Sequence, residues 1–430
     1  MKRNRSGRPV SPGTILMLAC SAVVLVGMLF VLNALRNPNV TLNTDRVVES
    51  LELSSDWLVN KDESAILQPI STVADATATP GTNAMLTVAQ SDRTTATLTF
   101  GGTVAITATI RKSCYFSASK KYDFDELFDL MGDALDSDLT VVALENLVDS
   151  TQSMSTLITP ADVLTSMKRY GVDAVNLGFS SCLDKGVSSL QATMTAAQEA
   201  GLSTVGAYAA ENQSTVTART LEINGIRIAL LHYTDTLSSA NAKKLTTAQS
   251  AWMVPQTAAA LEEIALAKQN GADVVIVSLH WGKSGTTTVS KAQKTLAQQL
   301  ADAGADVILG VGSRAVMTAT WLDRADGGQT LCCYGLGSLM NEKRTNAAVA
   351  GMLLQLTFTK ENNKTVLSVA GYRPTYIWHY EQDDVQHFRA VIANADAPEG
   401  MEDSQVKVMK KAMTTTQNAL GSDNPLTLLQ

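Results

Sequence analysis

The sequence predicts an α/β fold, with βαβ units giving largely parallel inner strands and a mixed or second sheet beside them. Three observations lead there. Beyond residue 96, helical stretches alternate with short β-branched runs. The runs in GVDAVNLGF, GADVVIVSLHWG and GADVILGVG each follow a helical stretch and each open on Gly-x-Asp, so one unit is repeated. LEINGIRIALLHY, by contrast, reads as an antiparallel hairpin turning at Asn224-Gly225.

The elements follow in order. TATLTFGGTVAIT alternates like a strand and meets Gly101-Gly102, a turn signal. FDELFDLMGDAL is patterned as an amphipathic helix over Phe124–Leu135, and LTVVALE as a buried strand. ADVLTSMKRY is helical, and GVDAVNLGF is the next strand. VSSLQATMTAAQEAG and LSTVGAY repeat the pair, and after the hairpin so do ALEEIALAKQN and GADVVIVSLHWG. AQKTLAQQLADA precedes GADVILGVG, while QTLCCYGLGSL and MLLQLTFT read as late strands. In such folds the loops after the strand C-termini converge on one edge. Here those loops are Gly101–Thr103, Glu145–Asn146, Gly178–Ser181, His280–Gly282 and Val311–Arg314. Beyond Arg389 the chain turns polar, and MEDSQVKVMKKAMTTTQNAL is expected as one surface helix.

The chain has 430 residues, 45% hydrophobic and 17% charged, enough for a large core with appendages. The net charge is −7 although Lys2, Arg3, Arg5 and Arg8 crowd the N-terminus, so the body is acidic. That argues against nucleic acid as a partner. Cys20, Cys114, Cys182, Cys332 and Cys333 form no CxxC pair, which excludes a zinc ribbon or a disulfide scaffold. A Cys114–Cys182 bond stays open on sequence alone.

Residues 1–13 are basic and 14–35, TILMLACSAVVLVGMLFVLNAL, carry no charge. A helix of that length spans a hydrocarbon core of roughly 30 Å. With the positive flank first, the expected topology is single-pass in the cell membrane, N-terminus cytoplasmic and C-terminal domain extracellular. The run is long for a cleaved signal and lacks a lipidation box around Cys20, so it reads as an uncleaved anchor. Residues 36–95 read as a stalk, 96–388 as the folded domain and 389–430 as a polar tail with a helix.

In order along the chain stand FGGTV, YDFDELF, LTVVALE, GVDAVNLGFSSCLDKG, LEINGIRIALLHYTD, ADVVIVSLHWG, GADVILGVGSRAV and YGLGSL. They resemble the capsule-synthesis CapA family, linked to poly-γ-glutamate and related to calcineurin-like metallophosphatases. The resemblance covers roughly residues 96–388 and implies a metallophosphatase-like two-sheet sandwich flanked by helices. It also implies a two-metal site, and there this chain departs from the pattern. The family's Gly-Asp is Gly102-Thr103, and its Asn-Leu-Glu is Ala143-Leu144-Glu145. Its Asn-Asn-His is Phe179-Ser180-Ser181, and a Glu beyond the retained His280-Trp281-Gly282 is Ser284. Its Gly-His-His-Pro-His is Gly310-Val311-Gly312-Ser313-Arg314, and its Asn-Phe is Ser338-Leu339.

A pair of divalent ions needs several carboxylate and imidazole ligands at one spot, and Glu145 and His280 are what remains. Arg314 would set a fixed positive charge where a ligand stood. The expected site is therefore degenerate, with no cofactor; a divalent metal is the alternative. Glu145 and His280 are the catalytic candidates. Against that, His280 reads as a strand-end histidine beside Trp281, and Glu145 as an acid paired with an arginine or a helix N-terminus. Binding candidates are Asn176, Ser180, Ser181, Asp184, Trp281 and Arg314. Asp184 also suits a cap for the helix near Val187, and Asn176 a scaffold role. Arg314 with Ser180, Ser181 and Ser313 could hold an anion, or Arg314 could fill the metal space against Glu145. Cys114, Cys182 and His280 are a weaker soft-metal set. His232 falls near the same edge, whereas His379 and His387 lie in a late strand or surface stretch.

Three functions are carried forward: a membrane-anchored CapA-like protein binding an anionic cell-surface polymer, a metal-dependent hydrolase or amide-bond-forming enzyme, and a structural domain docking to other envelope-assembly proteins.

Overall fold

The computed structural model describes residues 93–208, 220–245 and 253–430, which lie in one compact unit, Thr87–Gln430. The expected anchor and most of the stalk fall outside the described residues. Among those described, no helix is long and apolar enough to cross a membrane.

The first strands are β1 (Thr94–Val104), the short pair β2 (Tyr115–Phe116) and β3 (Lys121–Tyr122), β4 (Leu139–Leu144), β5 (Ala174–Asn176) and β6 (Ser203–Val205). Then come β7 (Thr220–Ile223), β8 (Ile226–Thr234), β9 (Val274–His280), β10 (Val307–Val311), β11 (Ala319–Asp323), β12 (Gln329–Cys333) and β13 (Ser338–Met340). The last are β14 (Ala350–Glu361), β15 (Lys364–Gln382), β16 (Val385–Ile392) and β17 (Thr427–Leu428). One sheet runs β16-β15-β14-β1-β4-β5-β6, with β13 beside β1 and β17 beside β15; the second runs β11-β12-β10-β9-β8-β7. The βαβ passages give parallel pairs, β1 with β4, β4 with β5, β8 with β9 and β9 with β10. β7 and β8 form the expected hairpin, and Asn224 and Gly225 both take the positive φ that a two-residue turn of this hand requires.

The sheets face each other. Leu98, Phe100 and Val141 of one pack in a common core with Ile228, Leu230, Val307 and Leu309 of the other. The helix Val187–Glu199 adds Leu190 and Ala197 to a second core outside the first sheet. Ala260–Gln269 and Lys291–Asp302 cover the second sheet through Ile264, Ala297 and Leu300. This is the expected two-sheet sandwich with helices outside.

Three expectations are corrected. Gly101-Gly102 does not end its strand: β1 runs through it with a register shift between Gly101 and Thr103. A Cβ at Gly102 would lie 2.4 Å from the Gly337 carbonyl, so the pair serves close backbone approach, not a turn. Phe124–Leu135 is not one helix but two 3-10 turns, Asp125–Leu127 and Gly132–Leu135. Asp123 accepts the Asp125 N–H, and Gly132 at φ +52° breaks the ladder, while Phe124, Leu127 and Phe128 are still buried.

The polar tail is no appendage either. β16 continues to Ile392, and the helix Asp403–Leu420 lays Met409, Ala412, Thr416 and Leu420 against the sheet. Trp378 Nε1 donates to Gln405 at 3.1 Å, Thr416 to the Gly351 carbonyl at 3.1 Å, and β17 joins β15.

Candidate functional site

The strand C-termini meet at one edge, as the topology requires, and two clusters form there. The first is charged. Glu145 follows β4 directly, and its backbone N–H donates to Val104. Its side chain is 8% exposed. Arg314 donates to its Oε2 from Nε at 2.9 Å and from Nη2. Thr103, at the end of β1, donates to Oε1 at 3.1 Å, and His280 Nε2, at the end of β9, lies 3.4 Å from the same oxygen. Burial alone would raise the Glu145 carboxyl; the His280 ring and the Arg314 guanidinium instead hold it below the ordinary carboxylate range.

Arg314 reaches Glu145 from a left-handed backbone, φ +55°, which a non-glycine residue adopts only when its surroundings hold it there. The Glu145 bonds do part of this, and Ser338 Oγ donates to the Arg314 carbonyl at 3.4 Å. Gly312, at φ +89°, has no room for a side chain: a Cβ would sit 2.6 Å from the His280 Nε2. Thr103, Gly312, Arg314 and Ser338 all stand where the resemblance implies other residues. Thr103 and Arg314 bond Glu145 directly, Ser338 bonds the Arg314 backbone, and Gly312 leaves room for the His280 ring.

The second cluster is neutral. His232 on β8 is fully buried. Its Nε2 lies 2.8 Å from the Gly178 carbonyl and must donate, so Nδ1 accepts from the Asn176 amide at 2.6 Å. Asn176 Oδ1 takes the Gly178 N–H at 3.0 Å, and its amide also reaches Ser278 Oγ at 3.5 Å. Burial pushes His232 down to about 3, so the ring is uncharged at neutral pH.

Of the candidates, Glu145, His280 and Arg314 come together, and Asn176 lies in the neighbouring cluster. Trp281 does not belong to a binding surface. It is 1% exposed, stacks on Tyr334 at 5.7 Å and donates from its indole to the Tyr334 carbonyl. Asp184 does not cap the helix at Val187, whose cap position, Gly186, makes no side-chain bond; it accepts from Asn241 at 2.6 Å. The Ser180 carbonyl also takes an Asn241 N–H, and Ser181 lies in the same turn. Ser313 Oγ donates to the Ala315 carbonyl at 3.0 Å, so its proton is not available to an anion at Arg314. Cys114 and Cys182 are buried free thiols, each pushed up to about 12 by burial, and form neither a bond nor a metal set. Thr103 and Ser338 stood in the sequence only as replaced motif positions, and Ser278 was not singled out at all. Strand register is the signal that finds Ser278, since it pairs with His232.

A divalent metal does not fit these residues. Both Glu145 oxygens are engaged, one by a guanidinium, and the metal would have to displace that cation. Among the described residues no three His, Cys, Asp or Glu side chains converge to hold one.

The family model "Bacterial capsule synthesis protein PGA_cap" matches residues 97–343. The chain is 32% identical over 153 residues to the capsule biosynthesis protein CapA of Bacillus anthracis, covering 35% of this chain and 36% of that one. It is 28% identical over 144 residues to the PGA biosynthesis protein CapA of Bacillus subtilis (strain 168), covering 34% and 37%. The match thus spans little more than a third of these relatives' lengths. Similar solved structures include a hypothetical protein from Thermus thermophilus, at 14% identity and a TM-score of 0.35, covering 65% of this chain and 97% of that one. Another is the calcineurin-like phosphoesterase YfkN from Bacillus subtilis, at 14% identity and a TM-score of 0.40, covering 76% and 98%.

Proposed function

The chain belongs to the bacterial capsule synthesis family, and from that premise we propose that it serves capsule or envelope polymer assembly by binding rather than by turnover. In this reading it is anchored in the cell membrane by residues 14–35, with its folded unit outside. One observation carries the reading: the Glu145 carboxylate is occupied by Arg314, Thr103 and His280, a closed arrangement with no position left for a cation. The segments that follow the strand C-termini bear exposed Lys185, Lys243, Lys244, Lys283, Lys343 and Arg344 against exposed Asp184, Asp235 and Glu342. On a protein of net charge −7 this local excess of cations suits a carboxylate-rich polymer such as poly-γ-glutamate.

The enzymatic reading would use Glu145 and His280 as a proton-transfer pair. His280 Nδ1 does lack a hydrogen-bond partner among the described residues. It is also shielded from solvent, which does not favour proton exchange with a substrate at that atom.

The test uses the full chain in detergent. The expected result is no stoichiometric metal, no hydrolysis of phosphoesters or amides, and salt-sensitive binding of polyglutamate. Stoichiometric Mn, Zn or Fe, with turnover lost in His280→Ala, would falsify it.

A further inference from the structure

Segment 111–122 carries a feature unrelated to the Glu145 cluster. β2 and β3 form a small separate hairpin, pairing Tyr115 with Tyr122 and Phe116 with Lys121. Phe116 is 56% exposed and Tyr115 42%, neighbours on one short strand. The exposure is not that of a loose loop. Tyr115 packs on Tyr122 at 5.0 Å, and Tyr122 stacks on Phe124 at 6.0 Å, whose ring is buried in the core. An aromatic ladder thus holds the tip outward, where two large apolar side chains remain in water.

Around this tip exposed cations outnumber the exposed carboxylate Asp123, which follows Tyr122. Lys112, Lys120 and Lys121 are exposed, and Arg111 sits at its base. Among the described residues none of the four pairs with a carboxylate; Arg111 donates only to the Ser155 and Ile158 carbonyls. Rigid aromatics ringed by unpaired lysines are the composition that settles at a bilayer interface, the rings at headgroup depth and the ammonium groups against phosphates. A soluble polycarboxylate would match the lysines but offers no apolar surface for Phe116 and Tyr115. The aromatics therefore decide between the two.

We propose that the hairpin Tyr115–Tyr122 docks on an anionic lipid surface, fixing the orientation of the folded unit against the membrane. This rests on the membrane location proposed above, and the test keeps the two separable. The full chain with Ala118→Cys at the hairpin tip is labelled with an environment-sensitive fluorophore and reconstituted into vesicles. The labelled unsubstituted chain supplies the background, and Val366→Cys, an exposed site on β15, is the control. Alkaline extraction reports the apolar run separately. In phosphatidylglycerol vesicles the probe at 118 should shift to the blue and brighten while that at 366 does not. The shift should be lost in Phe116→Ser and in Lys120→Glu/Lys121→Glu, with extraction behaviour unchanged. Equal emission from 118 and 366, or a shift insensitive to both variants, overturns the docking surface even if the chain resists extraction. A shift produced by soluble polyglutamate and not by vesicles also overturns it and gives the hairpin to the polymer.

Discussion

Two clusters at one edge of the sandwich solve the same problem by opposite means. Each buries a titratable group among strand ends. Around Glu145 the group stays charged and is met by a guanidinium, a hydroxyl and an imidazole. Around His232 the group stays neutral, and amide and carbonyl partners fix its tautomer. The contrast teaches what each cluster tolerates. A charged cluster fails when its counter-ion is lost, because an unpaired buried ion is costly. A neutral cluster fails when its shape is disturbed, because its hydrogen bonds depend on close backbone approach.

The largest effect should come from breaking the charged cluster on one side only. Arg314→Met leaves Glu145 buried with Thr103 and His280, and the folded state is expected to lose about 3 kcal/mol. The double variant Glu145→Gln/Arg314→Met should recover part of that loss, since no ion is then left unpaired. Urea denaturation of these two and of Glu145→Gln checks this; a double-variant loss equal to the sum of the two single losses would mean that the pair contributes no coupling. Next in size is steric damage to the neutral cluster. A Cβ at Gly206 would lie 2.4 Å from the His232 ring and 2.7 Å from Asn176 Oδ1, at a φ of +75°. Gly206→Ala should therefore cost roughly 2–3 kcal/mol, whereas Gly225→Ala, with nothing near its Cβ, should cost only its turn strain.

How far the sequence discloses this contrast depends on the kind of signal. Patterning placed the strands and most helices, because buried β-branched runs such as VVIVSLH can hardly sit elsewhere. The same periodicity misled at Phe124–Leu135. There Asp123 and Gly132 impose local geometry that hydrophobic spacing does not encode. At the C-terminus polar spacing disclosed the surface helix but not that one of its faces binds it to the sheet. In the charged cluster, Glu145, His280 and Arg314 were legible as neighbours, and the choice between an anion pocket and a pair with Glu145 was not. That choice turns on a left-handed backbone at Arg314 and on where Ser313 spends its proton. Trp281 shows the converse: the motif placing it beside His280 says nothing of its facing the opposite core.

The smallest expected effect lies in the pH dependence, because the two clusters lose stability in different windows. His232 is pushed down to about 3, against about 6.5 unfolded. Between those values the unfolded chain takes up a proton that the folded chain refuses, so stability falls as pH falls. Each such histidine contributes a slope of at most about 1.4 kcal/mol per pH unit. His379, pushed down to about 4 by burial and then by Arg344, adds to the same window. Glu145 is shifted in the same direction, downward, but in a lower window: its contribution is complete above an unfolded value near 4.3 and is lost as pH falls through its lower folded value. Urea midpoints stepped downward from pH 7 should therefore decline first through the histidines and only below about pH 4.3 through carboxylates. His232→Gln keeps a neutral partner for Asn176 and should make the decline between pH 6.5 and 4.5 shallower without removing it, since His379 remains. Glu145→Gln/Arg314→Met should leave that upper decline intact and soften the lower one. An upper decline unchanged in His232→Gln would mean that the ring is not held neutral in the folded chain, and the distinction between the clusters would collapse.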